Sequence, residues 1–473
     1  MKQVSQKLKF NIAGLLHESA VWVFLAALLG SIVFGIITPI AQEADGAWHF
    51  YRAYDVAQGN VLLPFYNIHD PSFLYMPADI DDYVIGGVQP DESNGETIQK
   101  RMKKITLTSE TAEFADPREV PAVYYYLPAL GLKIAMTFGM TVYSAVILCH
   151  ILSAIGYSVL AGLAAKYMPV GKSLFYAIML CPVCLFQAAS FSYDSLLNGL
   201  CFLAIALILD RAYGRERELG IKDMLPIGII LALIYMSKYV YVLIGLLVFL
   251  IPMRRFGSKK KYFITFGVAI LPLVLYVLQR ACFATVLPAY DMGDFVGLDK
   301  TGDYVSQMDF ILGHPLELPK ILARTFYRGL TAVFKTINVL GWGVYTLEPL
   351  TYWIPVFWAG VYVLGGAESV AVNLKGRILF GAATVLMWLG IVCGLYFCDP
   401  VANPAGYYWV CGLQGRYFVC LIPLLGIALA PKNLHHKIKN FDKKVVIIAL
   451  VFALWAAYIF YKRCMEDGIL NFY

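Results

Sequence analysis

The sequence predicts an all-α, polytopic membrane protein of about eleven transmembrane helices, with juxtamembrane helices in a long first outer loop. Three observations lead there. Of 473 residues, 59% are hydrophobic and only 15% carry a charged side chain, against roughly 25% in a soluble domain. Mean hydropathy is +0.65. The apolar residues fall in separable runs, most of them long enough to cross a bilayer, which takes about 20 residues. The net charge of +6 does not point to nucleic acid, because the basic residues sit in short loops between apolar runs.

The first run, 20–40, lacks a small-residue cleavage site in favourable context and is expected to be an anchor rather than a removable leader. Further spans are expected at 141–165, 171–190, 193–212, 224–237, 239–252, 262–284, 350–366, 378–397, 417–430 and 445–461. The run 121–139 is apolar too, but Tyr124, Tyr125, Tyr126, Pro128 and Lys133 interrupt it. It is expected to be a juxtamembrane or re-entrant helix. One transmembrane domain, 1–473, then divides into the first span (20–40), a long outer loop (41–140), central helices (141–284), a second outer loop (285–349) and C-terminal helices (350–473).

Orientation follows from the short loops. Lys2, Lys7 and Lys9 precede the first span. Arg211, Arg215, Arg217 and Lys222 fill the loop after 212, and Arg254, Arg255, Lys259, Lys260 and Lys261 follow 252. Lys375 and Arg377 precede 378, and Lys432, Lys437, Lys439, Lys443 and Lys444 follow 430. With 121–139 not spanning, all of these fall on one face, expected to be cytoplasmic along with the N-terminus. Lys462 and Arg463 depart from that pattern. The ten cysteines lie mostly inside apolar runs as small hydrophobes, in no zinc-type spacing. Cys398 and Cys411 flank a polar loop and are placed to pair if it faces an oxidising space. No internal repeat of the kind many transporters carry is evident.

The expected outer ends of the helices collect the ionisable residues. Glu43, Asp45, His49 and Arg52 follow the first span. Tyr193 and Asp194 stand between the third and fourth, Lys238 between the fifth and sixth, and Gln414 and Arg416 open the tenth. Charges at a membrane interface are costly unless paired or bound. A carboxylate there can act as a general base toward a hydroxyl, and Lys or Arg can hold a phosphate, Arg with a bidentate fork. Each residue also has a plainer reading. Asp45 and Glu43 fit solvated carboxylates at a helix end, His49 a loop hydrogen bond and Arg52 an interface anchor. Asp194 fits an N-cap, Lys238 a snorkelling side chain and Arg416 a contact to lipid phosphates. Trp48, Phe50, Tyr51, Tyr54, Tyr407, Tyr408 and Trp409 suit sugar stacking or an interfacial aromatic belt.

A family resemblance rests on several stretches in order. Asp45-Gly46-Ala47-Trp48-His49-Phe50-Tyr51-Arg52-Ala53-Tyr54 with Gln58-Gly59 resembles the first-loop motif of the multispanning bacterial family DUF2142. So do Leu185 to Asp194, Ser237-Lys238-Tyr239, His314-Pro315, Leu340-Gly341-Trp342 and Gly412 to Phe418. That family resembles a branch of the GT-C membrane glycosyltransferases, which take a sugar from a polyprenyl-phosphate carrier and keep a catalytic carboxylate in the first outer loop. The resemblance implies a plasma-membrane, multi-pass enzyme that passes the sugar from its polyprenyl-phosphate-linked donor to a cell-envelope glycan on the outer face. Asp45 would be the catalytic base, Lys238 and Arg416 the donor-phosphate ligands, and Glu43, His49, Arg52, Tyr193, Asp194 and Gln414 the pocket. Gly46 stands where the family has a second acid, so no resident metal or other cofactor is predicted, although a divalent cation is chemically compatible with the site. Two rival readings use the same residues: a flippase or exporter of lipid-linked glycans, which needs no base, and a non-catalytic subunit of an envelope-assembly complex.

Overall fold

A computed structural model describes residues 18–38, 43, 45–61, 74–78, 98–114, 120–283, 307–336, 339–340, 345–365, 372–398, 402–430 and 438–466. Gly341, Trp342 and the lysines at positions 2, 7, 9, 432 and 437 lie outside them. Among the described residues, six helices are long and apolar enough to cross a membrane. They are α1 (Ser19–Ile37), α5 (Val142–Tyr167), α8 (Asp194–Tyr213), most of α10 (Lys259–Phe283), α14 (Leu374–Cys398) and most of α16 (Phe441–Glu466). The remaining helices are α2 (Gly46–Ala57), α3 (Ile98–Met102), α4 (Tyr126–Thr137), α6 (Lys172–Met179), α7 (Pro182–Ala188), α9 (Ile221–Ser237), α11 (Gln307–Gly313), α12 (Glu317–Thr336), α13 (Leu350–Gly365) and α15 (Leu421–Leu429). Two short antiparallel pairs complete the secondary structure: β1 (Leu74–Pro77) with β2 (Thr111–Phe114), and β3 (Val339–Leu340) with β4 (Tyr345–Thr346).

The core is built on α5. It runs antiparallel to α1, with Gly35 against His150 and Gly162 against Phe24, and parallel to α8, with Gly156 against Leu196 and Gly199 against Leu160. At each crossing the missing side chain lets the backbones close up, as small residues do between membrane helices. Thr141 caps α5 by accepting from the Ser144 N–H at 3.3 Å. The lipid-facing character of α10 shows in its exposed Phe263, Ile264, Ile270, Leu271, Leu275 and Leu278, whereas α8 is buried almost throughout.

Four segments differ from the sequence expectation or sharpen it. The run 171–190 is two helices, because Pro182 drives Cys181 into an extended conformation (φ −68°, ψ 151°) and ends α6. The run 239–252 is a 3-10 helix over Tyr239–Leu250. At about 2.0 Å per residue it reaches about a third further than an α-helix of equal length, which suits a stretch too short to cross as α-helix. The run 417–430 opens with a 3-10 turn, Gly415–Phe418, before α15. In 121–139, a 3-10 turn at Ala122–Tyr125 leads into α4, whose 12 residues span about 18 Å. That is too short to cross, and α4 instead runs back along the first half of α5, with Gly131 against Cys149.

The two ends of the bundle differ in character. The C-terminus of α1, the N-terminus of α8, the C-terminus of α9 and the N-terminal side of α15 share one end. At the other, Arg255 Nη1 and Nη2 donate to the carbonyls of Arg211 and Gly214 at 2.9 and 3.0 Å, Arg217 pairs with Asp223 at 2.7 Å, and Ser19 bonds Asp442. The described basic loops therefore gather away from the acidic-aromatic end.

Candidate functional site

Asp194 is the centre of the acidic-aromatic end. It is the first residue of α8 and only 6% exposed. Its N–H donates to Ser192 Oγ at 3.2 Å. Lys238, in the junction where α9 gives way to the 3-10 helix, donates from Nζ to Asp194 Oδ1 at 2.7 Å. Gln187 of α7 donates to Oδ2 at 3.2 Å, and Asn198, one turn along α8, donates to Gln187 Oε1 at 3.0 Å. Arg416 Nε approaches Oδ2 only to 3.9 Å, beyond hydrogen-bond range. That buried Nε has no hydrogen-bond partner among the described residues. Aromatic faces complete the cradle: Lys238 Nζ lies 5.0 Å from the Tyr193 ring centre and 4.8 Å from that of Tyr417, and the Arg416 guanidinium carbon 5.4 Å from Tyr417.

Asp45 faces this cluster from the N-terminus of α2. Its backbone is left-handed (φ 57°, ψ 25°), one of two such non-glycine residues among those described. Aspartate tolerates that conformation better than most, and such local strain concentrates at functional positions. The side chain makes no capping bond and is open to solvent. Surrounding protein nonetheless removes enough hydration to hold its carboxyl above the usual carboxylate range. Arg416 pulls it back down, Asp194 pushes it up and Lys238 lowers it. His49, one turn into α2, is buried and its Nδ1 is hydrogen-bonded to the Tyr125 hydroxyl at 3.0 Å. Its ring meets Tyr193 edge to face at 5.4 Å. Burial pushes its pKa down to about 3, Asp194 opposing and Arg416 and Lys238 reinforcing, so the imidazole is neutral at neutral pH.

Asp45, His49, Tyr193, Asp194, Lys238 and Arg416 thus come together from four separate parts of the chain. Gln414 contributes its carbonyl to the turn that carries Arg416, accepting from the Tyr417 N–H at 3.1 Å. Glu43 and Arg52 are placed elsewhere. Glu43 is 5% exposed; it meets His150 Nε2 at 3.2 Å and accepts from the Phe191 N–H at 2.8 Å, tying the chain beyond α1 to α5 and the start of α8. Arg52 is buried with Asp55, Nη1 to Oδ2 at 2.6 Å, and donates from Nε to the Val120 carbonyl at 3.2 Å. Asp55 also accepts from Asn60 Nδ2 at 2.6 Å. This pair fastens the loop after α1 to the segment leading into α4. The signals for Gln187, Asn198 and Tyr125, which sequence reasoning did not single out as site residues, were amides inside apolar helices and one tyrosine among three. Cys398 and Cys411 are both free thiols.

No curated protein matches the chain. Among solved structures, the crystal structure of ArnT from Cupriavidus metallidurans in the apo state is similar at 16% identity over 93% of this chain and 75% of that one, with a TM-score of 0.36; a likeness of that size assigns neither fold nor activity. The family profile described as "Predicted membrane protein (DUF2142)" matches residues 28–425, most of the sequence. The chain is a multi-pass membrane protein belonging to the DUF2142 family.

Proposed function

We propose that the chain is a bacterial plasma-membrane glycosyltransferase that takes a sugar from a polyprenyl-phosphate donor at the outer leaflet and transfers it, with inversion, to a cell-envelope glycan. The observation that carries this reading is Arg416: a guanidinium 14% exposed, whose buried Nε has no hydrogen-bond partner among the described residues and stands 3.9 Å from Asp194 Oδ2, beside a carboxylate exposed to solvent. A buried cation with an unmade hydrogen bond is a ready anion ligand, since leaving it unpaired is costly. Asp45 takes the proton of the acceptor hydroxyl, the oxygen attacks the anomeric carbon, and the bond from that carbon to the phosphate oxygen breaks. The electron pair leaves with polyprenyl phosphate, which Arg416 receives. Lys238 is already bridged to Asp194; it adds charge at short range while Asp194, itself bonded by Gln187, holds it in place. A carboxyl held above its usual pKa is a stronger base and lies closer to the working pH. The neutral His49, fixed by Tyr125, offers its remaining ring nitrogen to a sugar hydroxyl.

The test uses purified protein incubated with polyprenyl-phosphate sugars and candidate glycans, with release of polyprenyl phosphate as the readout. Release that requires an acceptor and disappears in Asp45→Asn supports the enzyme. Movement of lipid-linked sugar across vesicles that survives Asp45→Asn, without release, turns the reading to a carrier.

A further inference from the structure

The loop that leads to Arg416 is built as a ledge. Residues 402–411 lie between α14 and the 3-10 turn Gly415–Phe418, and buried side chains hold them from three helices. Asn403 is wholly buried. Its Oδ1 accepts from the Cys411 N–H at 2.6 Å, its Nδ2 donates to the Leu395 carbonyl at 3.3 Å, and its own carbonyl accepts from Gln307 Nε2 at 3.0 Å. Thr325 of α12, 2% exposed, accepts from the Val410 N–H at 3.0 Å. Gly406, at φ +78°, closes on the Phe310 ring of α11, where an added Cβ would sit 2.8 Å away. Loops are ordinarily among the more mobile parts of a fold; this one is fixed by buried polar groups that each find a partner in it.

What the loop presents is aromatic and cationic. Tyr407 and Tyr408 are 37% and 55% exposed, and Trp409 meets both rings edge to face at 5.7 and 5.5 Å. Arg324 and Arg328, one turn apart on α12, reach these rings at stacking distance. Their guanidinium carbons lie 4.0 Å from the centre of Tyr408 and 3.6 Å from that of Trp409. Such contacts order two long side chains before a ligand arrives, and a guanidinium keeps its N–H donors in its own plane, the arrangement that takes a carboxylate or a phosphate. The nearby acid on α12, Glu317, is paired with Lys320 at 2.6 Å. The arginines also stand away from the lipid side. At 3.6 residues per turn they lie about 160–200° around α12 from Phe326, whose ring packs on Trp388 of the spanning helix α14. The ledge is continuous with the Arg416 cluster: Leu413 packs against the small core of Ile321 and Val410, and α12 lies against the turn that carries Arg416.

We propose that this ledge binds the acceptor, and that the acceptor is an anionic glycan bearing phosphate or carboxylate groups. Sugar rings lie on the exposed faces of Tyr407 and Tyr408, and Arg324 and Arg328 take the anionic groups. The role as acceptor rests on the glycosyltransferase reading; the binding of an anionic glycan does not.

Purified protein in detergent, with no donor present, is titrated with oligosaccharides of equal length: one phosphodiester-linked, one of uronic acids and one neutral. Binding is read by isothermal titration calorimetry and folding by the thermal midpoint. The anionic chains bind more tightly than the neutral one, and the advantage shrinks at high salt. The tighter of the two anionic chains identifies the anion. Arg324→Gln and Arg328→Gln each weaken anionic binding by up to about fivefold, the range of an exposed charge pair, and leave the neutral chain unaffected. Tyr408→Ala weakens all of them, and Arg215→Gln, at the other end of the bundle, weakens none. Equal binding of charged and neutral chains, or an Arg324→Gln/Arg328→Gln variant that binds anionic chains like the parent, overturns the proposal. Binding of short-chain phosphatidylglycerol that is lost with both arginines, without glycan binding, assigns the ledge to lipid headgroups and overturns it as well. Release of polyprenyl phosphate onto neutral glycans alone removes the ledge and keeps the enzyme; anionic-glycan binding that needs both arginines, with no release from any donor, keeps the ledge and removes the enzyme.

Discussion

Lys238 and Asp194 meet at 2.7 Å where the C-terminus of α9 crosses the N-terminus of α8. The bridge has two consequences. It neutralises two groups that would be expensive apart at a membrane interface, and it engages Oδ1 alone, while Oδ2 accepts from Gln187 and Arg416 stands off from it at 3.9 Å. Lys238 is closely paired and its neighbour Arg416 is not, which is why Arg416 is the proposed anion ligand.

That asymmetry predicts different outcomes for the two cations. Arg416→Lys keeps the charge but loses the planar fork and the Nε donor. Transfer should fall by about two orders of magnitude, the usual loss when one donor to a developing anion is removed. The thermal midpoint should stay close to that of the parent, because Arg416 makes no close ion pair. Lys238→Met breaks the close bridge and leaves Asp194 buried with one partner fewer, so it should lower the midpoint as well as transfer. Paired melting and donor-release measurements on both variants check this; a large loss of stability in Arg416→Lys would mean that Arg416 is structural.

Asp45→Asn is the cleanest removal of the proposed base. Asparagine adopts the left-handed conformation readily, so the turn into α2 is preserved. The raised carboxyl pKa means that the folded state binds the proton more readily than the unfolded chain. Stability therefore declines as pH rises from the ordinary carboxylate value through the raised one. Removing the charge should leave the midpoint at pH 7 unchanged or higher while transfer is lost. In the parent, the acid limb of the rate profile should fall at a higher pH than an ordinary aspartate would give. An acid limb at the ordinary carboxylate pKa would remove Asp45 from the base role.

How much of this was legible in the sequence depended on what kind of signal each residue gave. Asp194, Lys238 and Arg416 stood out because an ionisable group at the end of an apolar run has few cheap explanations. Their mutual distances were not readable, since they lie far apart along the chain. Glu43 and Asp45 stand two residues apart with the same chemistry, and the expectation favoured Asp45 as the base; that Glu43 instead pairs with His150, buried in α5, was not readable. The break before Pro182 was readable from proline's exclusion of helix at the preceding residue, and was obscured by a hydropathy that runs on through Ala188. The family stretches that carry Asp194 and Arg416 came from the resemblance and not from any periodicity.

His49 predicts an acid-sensitive fold. Its pKa is near 3 in the folded protein and about 6.5 when unfolded, so between those values the unfolded chain binds the extra proton. Stability should rise with pH across that window and be lost on acidification. From pH 7 to pH 5 the loss is about 2 kcal/mol. His49→Gln, which keeps a polar group near Tyr125 but does not titrate there, should reduce the difference in midpoint between the two pH values. A variant with the full parental difference would place the acid sensitivity elsewhere.

The close crossing of α9 and α10 gives a test that involves no ligand. A Cβ at Gly228 falls 1.7 Å from the Ala269 carbonyl oxygen, a backbone atom that cannot swing aside, whereas nothing lies within 4 Å of a Cβ at Gly267 on α10. Gly228→Ala must therefore push the two helices apart, at a cost of about 1–3 kcal/mol. Gly267→Ala meets open space and gains helix propensity, up to about 1 kcal/mol relative to glycine. The same substitution on adjacent parallel helices should thus move the thermal midpoint in opposite directions. Because Lys238 directly follows α9, Gly228→Ala should also weaken the proposed donor release, as the displaced helix carries the lysine away from Asp194. If both alanines were tolerated equally, the parallel packing that sets both ends of the bundle would be wrong.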